Sequence, residues 1–503
     1  MNDDTRYRSL CEHLRQTAIL ESTQATLEWD ERTMMPRAAG AYRAEQIGYL
    51  AGLIHQRRTA PELGELLERL RESSLAQDPH SAAGCNIHWA WHDYQKQRRL
   101  PQRLVEAISK ATILGQQAWS QARSNNDFPN FLPHLRTIVE LKREQAEALG
   151  YEHEPYDALL DQYEPGAKTA EVAEVLSRLR TELVPFVHAI TSAKRQAPFE
   201  ILTRRYPIAA QRAFAIQTTK QMGFDYERGR LDETDHPFCT SLGPHDCRIL
   251  TRYDEHYFSS AFFGSLHEAG HGMYDQGLPA DDFGLPSGSY VSLGIHESQS
   301  RLWENSVGRS RPFWKWLYPQ AQTAFPAALA DVCLDDFHFA VNHVSPSLIR
   351  VEADEVTYNL HIVIRFELER ELIRGNLQAA DLPQAWNDAY EANLGIRPEN
   401  DAEGVLQDIH WSAGLIGYFP TYTLGNLYAA QFLQTAQHEL GDWNGALERG
   451  EFSPLLEWLR AQIHRHGRRY RAGELVQRIS GRPLESQPLM ESLHERFDPL
   501  YRL

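Results

Sequence analysis

The sequence predicts a mainly α-helical protein that contains only a little β-strand. Apolar residues recur at i, i+3, i+4 and i+7 through most long stretches of the chain, which is the period of an amphipathic helix. Alternation of apolar and polar residues, the period of a strand, is scarce and is clearest in DCRILTRYD at 246–254. The 503 residues contain no long linker rich in Ser, Gly or Pro and no internal repeat, so one domain is expected.

The predicted helices follow one another along the chain. One covers RYRSLCEHLRQTAILESTQATLEW near the N-terminus, and a later one covers AEVAEVLSRLRTELVPFVHAITSAKRQ. The same period predicts helices over residues 102–149, 209–222, 256–275, 298–309, 352–374, 425–440 and 453–479. The longest irregular stretch, GLPADDFGLPSGSYVSLG at 277–294, joins two of these helices. Loops of this length in compact proteins are typically functional, so we expect this loop to border a site.

Charge and hydropathy limit the classes of partner. The formal net charge is −17, which repels nucleic acid and anionic membrane surfaces, so neither is expected to bind. The densest basic patch is HRHGRRYR at 464–471, and its helical surroundings indicate a solvent-exposed helix face. No run of the chain approaches the roughly 18 apolar residues that a membrane span needs. We therefore expect no membrane partner.

Cysteine usage indicates a reducing compartment. The five cysteines are odd in number and form no CxxC pair. The N-terminal segment MNDDTRYRSLCEHLRQ is polar and acidic, without the apolar core of a secretory signal. We expect a cytoplasmic protein. Cys239 and Cys247 lack the spacing of metal ligands, and we expect them to be structural.

The segment HEAGHGMYDQG at 267–277 carries the strongest chemical signal. In the helix predicted over 256–275, the apolar stripe consists of Phe262, Leu266, Ala269 and Met273. His267 and His271 are four residues apart, so their side chains share one helix face about 6 Å apart and suit one Zn²⁺ ion. Glu268 lies at the edge of that face, where it can act as general base toward a metal-activated water. The alternative is two ordinary histidines on a helix.

A catalytic zinc ion needs a third protein ligand and one open position. The metzincin pattern would place a histidine six residues after the second histidine, but Gly277 stands there, so that class is excluded. The segment GIHESQSRLWEN at 294–305 offers a carboxylate on the next helix. Glu297 and Glu304 lie two turns apart on one face, and spacing alone leaves both open.

Taken together, these motifs resemble the carboxypeptidase Taq family of metal-dependent carboxypeptidases. The resemblance spans nearly the whole chain. It rests on HEAGH and GIHESQSRLWEN, and on a further ordered set of segments: LEWDERTMMP (27–36), HPF (236–238), DCRILTRY (246–253), IRVEAD (349–354), GVLQDIHW (404–411), YFPTYTLGN (418–426) and WLRAQIHRHGRRYRAGELV (458–476). One departure is that the threonine of the family's DxRxT stretch falls at Leu250, with Thr251 beside it.

The resemblance implies a fold and a set of roles. The fold would be a large helical bundle with a deep groove between two helical halves and a small β-sheet beside the metal. Within a single domain over 1–503, the N-terminal helical part would cover about residues 1–200 and the catalytic part about 201–503. His267, His271 and Glu297 would bind the metal, and Glu304 would support them. The protein would be a homodimer that removes single residues from peptide C-termini with broad preference.

Five further residues are candidates for contacts with the peptide. Arg350 has a planar guanidinium that suits a terminal carboxylate, the alternative being a pair with Glu352 or Asp354. His410 and Tyr422 are candidates for donating hydrogen bonds to the oxyanion of the transition state, and Tyr418 competes with Tyr422 for that role. The list is completed by His236, which we expect, with Phe238, to line the groove. Asp246 and Arg248 are expected to hold the candidate strand to a helix, and Asp275, Asp354 and Asp408 are open candidates for orienting a histidine.

The sequence therefore predicts a cytoplasmic metallocarboxypeptidase that acts on peptides with a free C-terminus. One Zn²⁺ per chain is expected, although Co²⁺ or Mn²⁺ also suit two histidines and a carboxylate. A helical oligoendopeptidase or dipeptidyl carboxypeptidase with the same metal site is the nearest alternative, because HExxH does not distinguish them. A non-catalytic helical scaffold is the alternative from another class.

Overall fold

The computed structural model describes residues 2–503 and is mainly helical, as the sequence predicted. The helices are α1 (Asp3–Thr33), α2 (Gly40–Arg58), α3 (Pro61–Arg71), α4 (Ala82–Arg99), α5 (Gln102–Asn125), α6 (Phe128–Leu149), α7 (Pro155–Leu160), α8 (Thr169–Thr191), α9 (Ile208–Met222), α10 (Phe258–Gly277), α11 (Leu293–Arg301), α12 (Arg311–Ala324), α13 (Pro326–Leu329), α14 (Leu334–Val341), α15 (Tyr358–Arg374), α16 (Leu382–Leu394), α17 (Pro420–Leu440), α18 (Trp443–Glu448), α19 (Ser453–Gln462), α20 (Ala472–Ser480) and α21 (Gln487–Tyr501). The strands are β1 (Gly229–Glu233), β2 (Phe238–Gly243) and β3 (Asp246–Thr251).

The chain forms two compact units, and each is built from three stretches of sequence. Unit 1 contains the residues up to Arg98 together with Pro198–Val341 and Phe432–Gly481. Unit 2 contains Arg99–Ala197, Asn342–Gln431 and Arg482–Leu503.

Unit 1 contains the small sheet and the HEAGH helix α10. The strand order is β1-β3-β2, with β1 parallel and β2 antiparallel to β3. The central strand β3 is the segment whose alternation predicted a strand, and Ile249 and Leu250 on it are fully buried. Leu250, where the resemblance leads one to expect a threonine, is therefore a core residue. An aromatic core anchors the first turns of α10, with the rings of Phe258 and Phe262 stacked 5.1 Å apart.

Unit 2 contains a buried polar centre on α15. The carboxylate of Glu369 is fully buried and accepts hydrogen bonds from Tyr156 Oη (2.6 Å), Trp411 Nε1 (2.8 Å) and the backbone N–H of Gly417 (3.0 Å). Burial raises the pKa of Glu369 to about 7 against the effect of these donors. Two of the donors follow His410 in sequence, so this centre fixes the segment that carries His410.

Several predicted helix boundaries were wrong for local reasons. The stretch 102–149 forms two helices, α5 and α6, because Asn126 adopts a left-handed conformation (φ 54°) between them. Helix α15 begins at Tyr358 and not at residue 352, because Asp354 accepts hydrogen bonds from the backbone N–H groups of Val356 and Thr357 just before it.

The stretch 453–479 is also divided. It forms α19, a 3₁₀ segment at His464–Arg469 and α20, because Gly467 has φ 53°. The basic patch at 464–471 is therefore not a solvent-exposed α-helix face. His464 is buried, and its Nε2–H donates to Gln299 Oε1 at 3.0 Å.

None of the helices within residues 2–503 combines the length with the apolar character that crossing a lipid bilayer requires.

Candidate metal centre and substrate-binding cluster

Helix α10 presents the two histidines of HEAGH on one face. Phe262, Leu266, Ala269 and Met273 are all buried, as the predicted apolar stripe requires. His267 and His271 stand one turn apart, with ring centroids 4.8 Å apart, and both are partly exposed. The helical period thus places the two imidazoles side by side on one face of α10, whose other residues are mostly buried.

Glu297 on α11 completes a cluster of three ligand atoms. Its Oε2 lies 3.6 Å from His267 Nε2 and 3.4 Å from His271 Nε2, and the three ligand atoms all lie within 4.8 Å of one another. Ligands at about 2.0–2.1 Å from a tetrahedral ion are about 3.4 Å apart, so this spacing fits one ion such as Zn²⁺. Of the two carboxylates that the sequence left open, Glu297 is the one in this cluster.

Two glycines let neighbouring elements approach α10. A Cβ atom on Gly270, in the middle of HEAGH, would lie 2.6 Å from Ser300 Cα and 2.7 Å from the carbonyl oxygen of Gln299. A Cβ atom on Gly272 would lie 2.5 Å from the ring of Phe224. Gly270 thereby allows α11, which carries Glu297, to pack directly on α10.

Glu304 holds the other nitrogen of His267. His267 Nδ1–H donates to Glu304 Oε2 at 2.8 Å, which leaves Nε2 as the nitrogen that faces Glu297. Glu304 lies in a π-helical turn, Leu302–Val307, that continues α11. Arg301 bridges the two carboxylates, at 2.7 Å from Glu297 Oε1 and 3.2 Å from Glu304 Oε2. π-Turns of this kind often lie at functional sites because they re-aim a side chain.

His271 is oriented by a second pair of residues. Its Nδ1 lies 2.6 Å from Nδ1 of His296, and His296 Nε2 lies 3.1 Å from Asp275 Oδ1. Because a carboxylate only accepts, His296 Nε2–H donates to Asp275, so its Nδ1 accepts from Nδ1–H of His271. This chain of donors leaves the lone pair of His271 on Nε2, the nitrogen beside Glu297. Sequence analysis did not single out His296, although it precedes Glu297 in GIHES.

Glu268 is a buried carboxyl group beside this cluster. It is 6% exposed, and its Oε2 has no hydrogen-bond partner among residues 2–503. Burial raises the pKa of Glu268 to about 7, and the negative charges of Glu297 and Glu304 add to that rise. An orphaned buried carboxylate oxygen is costly unless a ligand or water completes it, so this atom fits a reacting group.

Two of the three candidate ligands, Glu297 and His271, are in the protonation states that a cation needs. Although burial opposes ionisation, Arg301 and His267 hold the pKa of Glu297 far below its usual range. Burial lowers the pKa of His271 to about 4, assisted by the neighbouring His296. Glu297 is therefore a carboxylate and His271 a neutral imidazole near pH 7, and both forms bind metal.

Unit 2 brings Arg350 and Asp408 together. Arg350 is 5% exposed, and its Nε and one terminal nitrogen donate to Asp408 Oδ1 at 3.0 and 2.7 Å. The other terminal nitrogen donates to Tyr358 Oη at 3.0 Å. Asp408 also pairs with the fully buried Arg365 at 2.6 Å, so two arginines share one carboxylate. Arg350 is thus held by Asp408 and not by Glu352 or Asp354.

His410 and Tyr422 lie in the same cluster of unit 2. His410 Nε2 is 3.3 Å from Tyr422 Oη, and the centre of the Tyr422 ring is 5.2 Å from the guanidinium of Arg350. Burial lowers the pKa of His410 to about 3, and its buried Nδ1 has no hydrogen-bond partner among residues 2–503. Tyr418 packs its ring on both, with centroids 5.5 Å from His410 and 5.4 Å from Tyr422.

The remaining predicted residues lie around the sheet of unit 1. His236 is exposed in the segment between β1 and β2, and Phe238 begins β2. Asp246 and Arg248 on β3 pair with each other at 2.9 Å, and the Arg248 guanidinium lies 4.2 Å above the ring of Trp29 on α1. This contact holds the strand to a helix through Arg248, and Asp246 positions the Arg248 guanidinium.

A mainly helical protein with an HExxH helix and a carboxylate on the next helix has the arrangement expected of a helical metallopeptidase. The chain matches the model of the carboxypeptidase Taq (M32) metallopeptidase family over residues 9–497. It is 47% identical to thermostable carboxypeptidase 1 of Thermus thermophilus, with 100% of both chains covered. It is 37% identical to carboxypeptidase 1 of Bacillus subtilis, with 97% of both covered.

A solved structure agrees with these relatives. The M32 carboxypeptidase from Deinococcus radiodurans R1 has a TM-score of 0.95 and 40% identity, covering 99% of this chain and 100% of that chain. The chain belongs to the carboxypeptidase Taq family and is a metal-dependent carboxypeptidase, which confirms the family, fold class and activity predicted from the sequence.

Proposed function

We propose that His267, His271 and Glu297 bind one Zn²⁺ ion per chain, and that the enzyme releases single amino acids from peptide C-termini with broad preference. The observation that supports this most strongly is the convergence of Nε2 of both histidines on Glu297 Oε2, at 3.6 and 3.4 Å. The outer nitrogen of each histidine is already engaged, by Glu304 and by His296. Two histidines and a carboxylate suit Zn²⁺, and Co²⁺ or Mn²⁺ are expected to support activity as well.

Glu268 acts as general base and then as general acid. A divalent ion, when bound, supplies Lewis acidity that lowers the pKa of a water molecule and polarises a carbonyl group. Glu268 accepts the proton of the attacking water on its unpartnered oxygen and later delivers it to the leaving amine. His267, the residue before Glu268, is fixed by its hydrogen bond to Glu304, so Glu268 lies on a rigid turn of α10.

Arg350 binds the terminal carboxylate of the peptide. Arg350, Arg365 and Asp408 together carry one net positive charge in a buried cluster, which favours an anion. A guanidinium has five N–H donors. Asp408 and Tyr358 take three of them among residues 2–503, which leaves one donor on each terminal nitrogen for a bidentate carboxylate.

His410 and Tyr422 stabilise the developing oxyanion. A neutral His410 has one N–H donor. The contact between His410 Nε2 and Tyr422 Oη, at 3.3 Å, holds the two side chains so that one of them donates a hydrogen bond to the oxyanion. Tyr418 packs against both rings and keeps them in place. His236 contributes to the wall that contacts the substrate.

The test compares two substrates and one substitution. The wild type should release the C-terminal residue from an N-acylated dipeptide with a free carboxylate and leave the C-terminal amide intact. A chelator should abolish release, and Zn²⁺ or Co²⁺ should restore it. Glu268→Gln should lose at least about 10³-fold in kcat while keeping its metal, and Glu68→Gln, on the exposed face of α3, is the control. Cleavage of the amide would favour an endopeptidase, and an active Glu268→Gln enzyme would exclude this base.

Location and assembly are further parts of the proposal. Five cysteines without a pairing pattern support a cytoplasmic location. The resemblance of the sequence motifs to the carboxypeptidase Taq family supports a homodimer. Cell fractionation and light scattering at several protein concentrations test these two points, and a strictly monomeric enzyme would contradict the second.

A further inference from the structure

Cys239 and Cys247 form a thiol pair that their sequence spacing conceals. They lie on the adjacent antiparallel strands β2 and β3, where Ser241 pairs with Cys247 and Cys239 pairs with Ile249. This register places both side chains on one face of the sheet, with the two Sγ atoms 3.6 Å apart. Eight residues separate them in sequence, so only the strand register brings them together.

Asp275 on α10 completes a three-residue cluster with these thiols. The two Sγ atoms and a carboxylate oxygen of Asp275 all lie within 4.8 Å of one another. The sheet approaches α10 closely because Gly272 has no side chain, and Cys247 Sγ lies 3.9 Å from the Gly272 carbonyl oxygen. Cys247 is buried, whereas Cys239 is partly exposed and leaves access for a small ion.

We propose that Cys239, Cys247 and Asp275 form a second metal site, separate from the HExxH cluster, that binds a thiophilic divalent ion such as Zn²⁺. Two sulfur ligands about 2.3 Å from a tetrahedral ion lie about 3.8 Å apart, close to the observed 3.6 Å. A disulfide would need the sulfur atoms at about 2.05 Å. Binding replaces the two thiol protons, which pass to solvent, and a water molecule takes the fourth position.

The carboxylate of Asp275 serves both clusters. Its Oδ1 accepts a hydrogen bond from His296 Nε2 at 3.1 Å, and His296 in turn contacts His271 at Nδ1. An ion held by Asp275 therefore competes with His296 for the charge of this carboxylate. Since outer partners of this kind change metal affinity by about 10–100-fold, filling the thiol site should weaken metal binding at His271.

Co²⁺ titration of the reduced, metal-free, full-length protein tests the site. Thiolate–Co²⁺ bonds give an intense charge-transfer band in the near ultraviolet, which imidazole and carboxylate ligands do not give. The wild type should bind about two equivalents and show this band. The double substitution Cys239→Ser and Cys247→Ser should bind one equivalent without the band, and Cys333→Ser, at an exposed cysteine, should match the wild type.

Two further measurements separate the alternatives. His267→Gln weakens only the HExxH cluster, so the band should persist in that variant even if the proposed catalytic site is wrong. Asp275→Asn should lower the Co²⁺ affinity of the thiol site at least tenfold. A wild type without the band would overturn the proposal. So would an intact mass of the untreated, metal-free protein that is lower than that of the reduced protein by two hydrogen atoms, because this loss indicates a disulfide.

Discussion

Gly270 lies directly against the backbone of Ser300. A Cβ atom at Gly270 would approach Ser300 Cα to 2.6 Å, a distance that real Cβ contacts essentially never show. The contact joins α10, which carries His267 and His271, to α11, which carries Glu297. The spacing of two helix backbones therefore determines the distance between the candidate metal ligands.

Gly270→Ala should push α11 away from α10 and separate Glu297 from the two histidines. We expect metal affinity to fall at least about tenfold and the thermal midpoint to drop, because backbone atoms cannot rotate aside. Competition with a chromophoric chelator measures the affinity. Gly52→Ala in α2, where a Cβ meets nothing within 4 Å, is the control and should be neutral or stabilising. Equal affinities in both variants would show that the helix spacing does not set the site.

Glu304→Gln removes the negative charge that receives His267 Nδ1–H and keeps the size of the side chain. Because this partner raises the basicity of the ligand and fixes its tautomer, metal affinity should fall about 10–100-fold. Glu297→Gln, which alters a ligand itself, should cost more than Glu304→Gln in the same competition assay. If the order is reversed, Glu304 is the ligand and Glu297 the supporting residue, the alternative that sequence spacing left open.

The part of the candidate metal cluster that lies on α10 could be predicted from sequence, because its geometry is local. A period of 3.6 residues places His267 and His271 on one face and buries the apolar stripe opposite them, and both features are present. Local sequence does not decide between Glu297 and Glu304 as the third ligand. It depends on how α11 is rotated on α10, and only the family resemblance pointed to it.

Contacts that depend on tertiary packing could not be read from spacing. The His271–His296–Asp275 chain requires the packing of α11 on α10, and the Cys239–Cys247 pair requires the register of β2 on β3. Predicted helix boundaries were wrong where a single side chain caps a helix end, as Asp354 does before α15. Periodicity reports which face is apolar, but it does not report where a capping side chain ends the helix.

Arg350→Lys keeps the positive charge and loses the planar fork. Loss of a bidentate, charge-assisted contact costs about 2–3 kcal/mol, so kcat/KM for a free-acid dipeptide should fall roughly 30–150-fold. The loss should be mainly in KM, because the terminal carboxylate carries the same charge in the bound substrate and in the transition state. Arg397→Lys, at an exposed arginine of unit 2, is the matched control. An unchanged KM in Arg350→Lys would mean that another group binds the terminal carboxylate.

His464 should make the protein less stable in mild acid. Burial lowers its pKa to about 3, whereas an unfolded chain binds that proton near the ordinary value of 6.5. Between these values the unfolded state holds more protons, so the free energy of unfolding falls as pH falls. pH 5 lies about 1.5 units below 6.5. At that pH, proton binding by His464 in the unfolded chain lowers the free energy of unfolding by about 2 kcal/mol.

His464→Gln keeps a donor for Gln299 and removes the titrating group. From pH 7 to pH 5 the wild type should therefore lose more stability than this variant, by a difference on the order of 2 °C in thermal midpoint for a chain of this size. His55→Gln, at an exposed position in α2, should follow the wild type. Parallel losses in wild type and His464→Gln would show that His464 takes up its proton without unfolding, through a local opening of the segment at His464–Arg469.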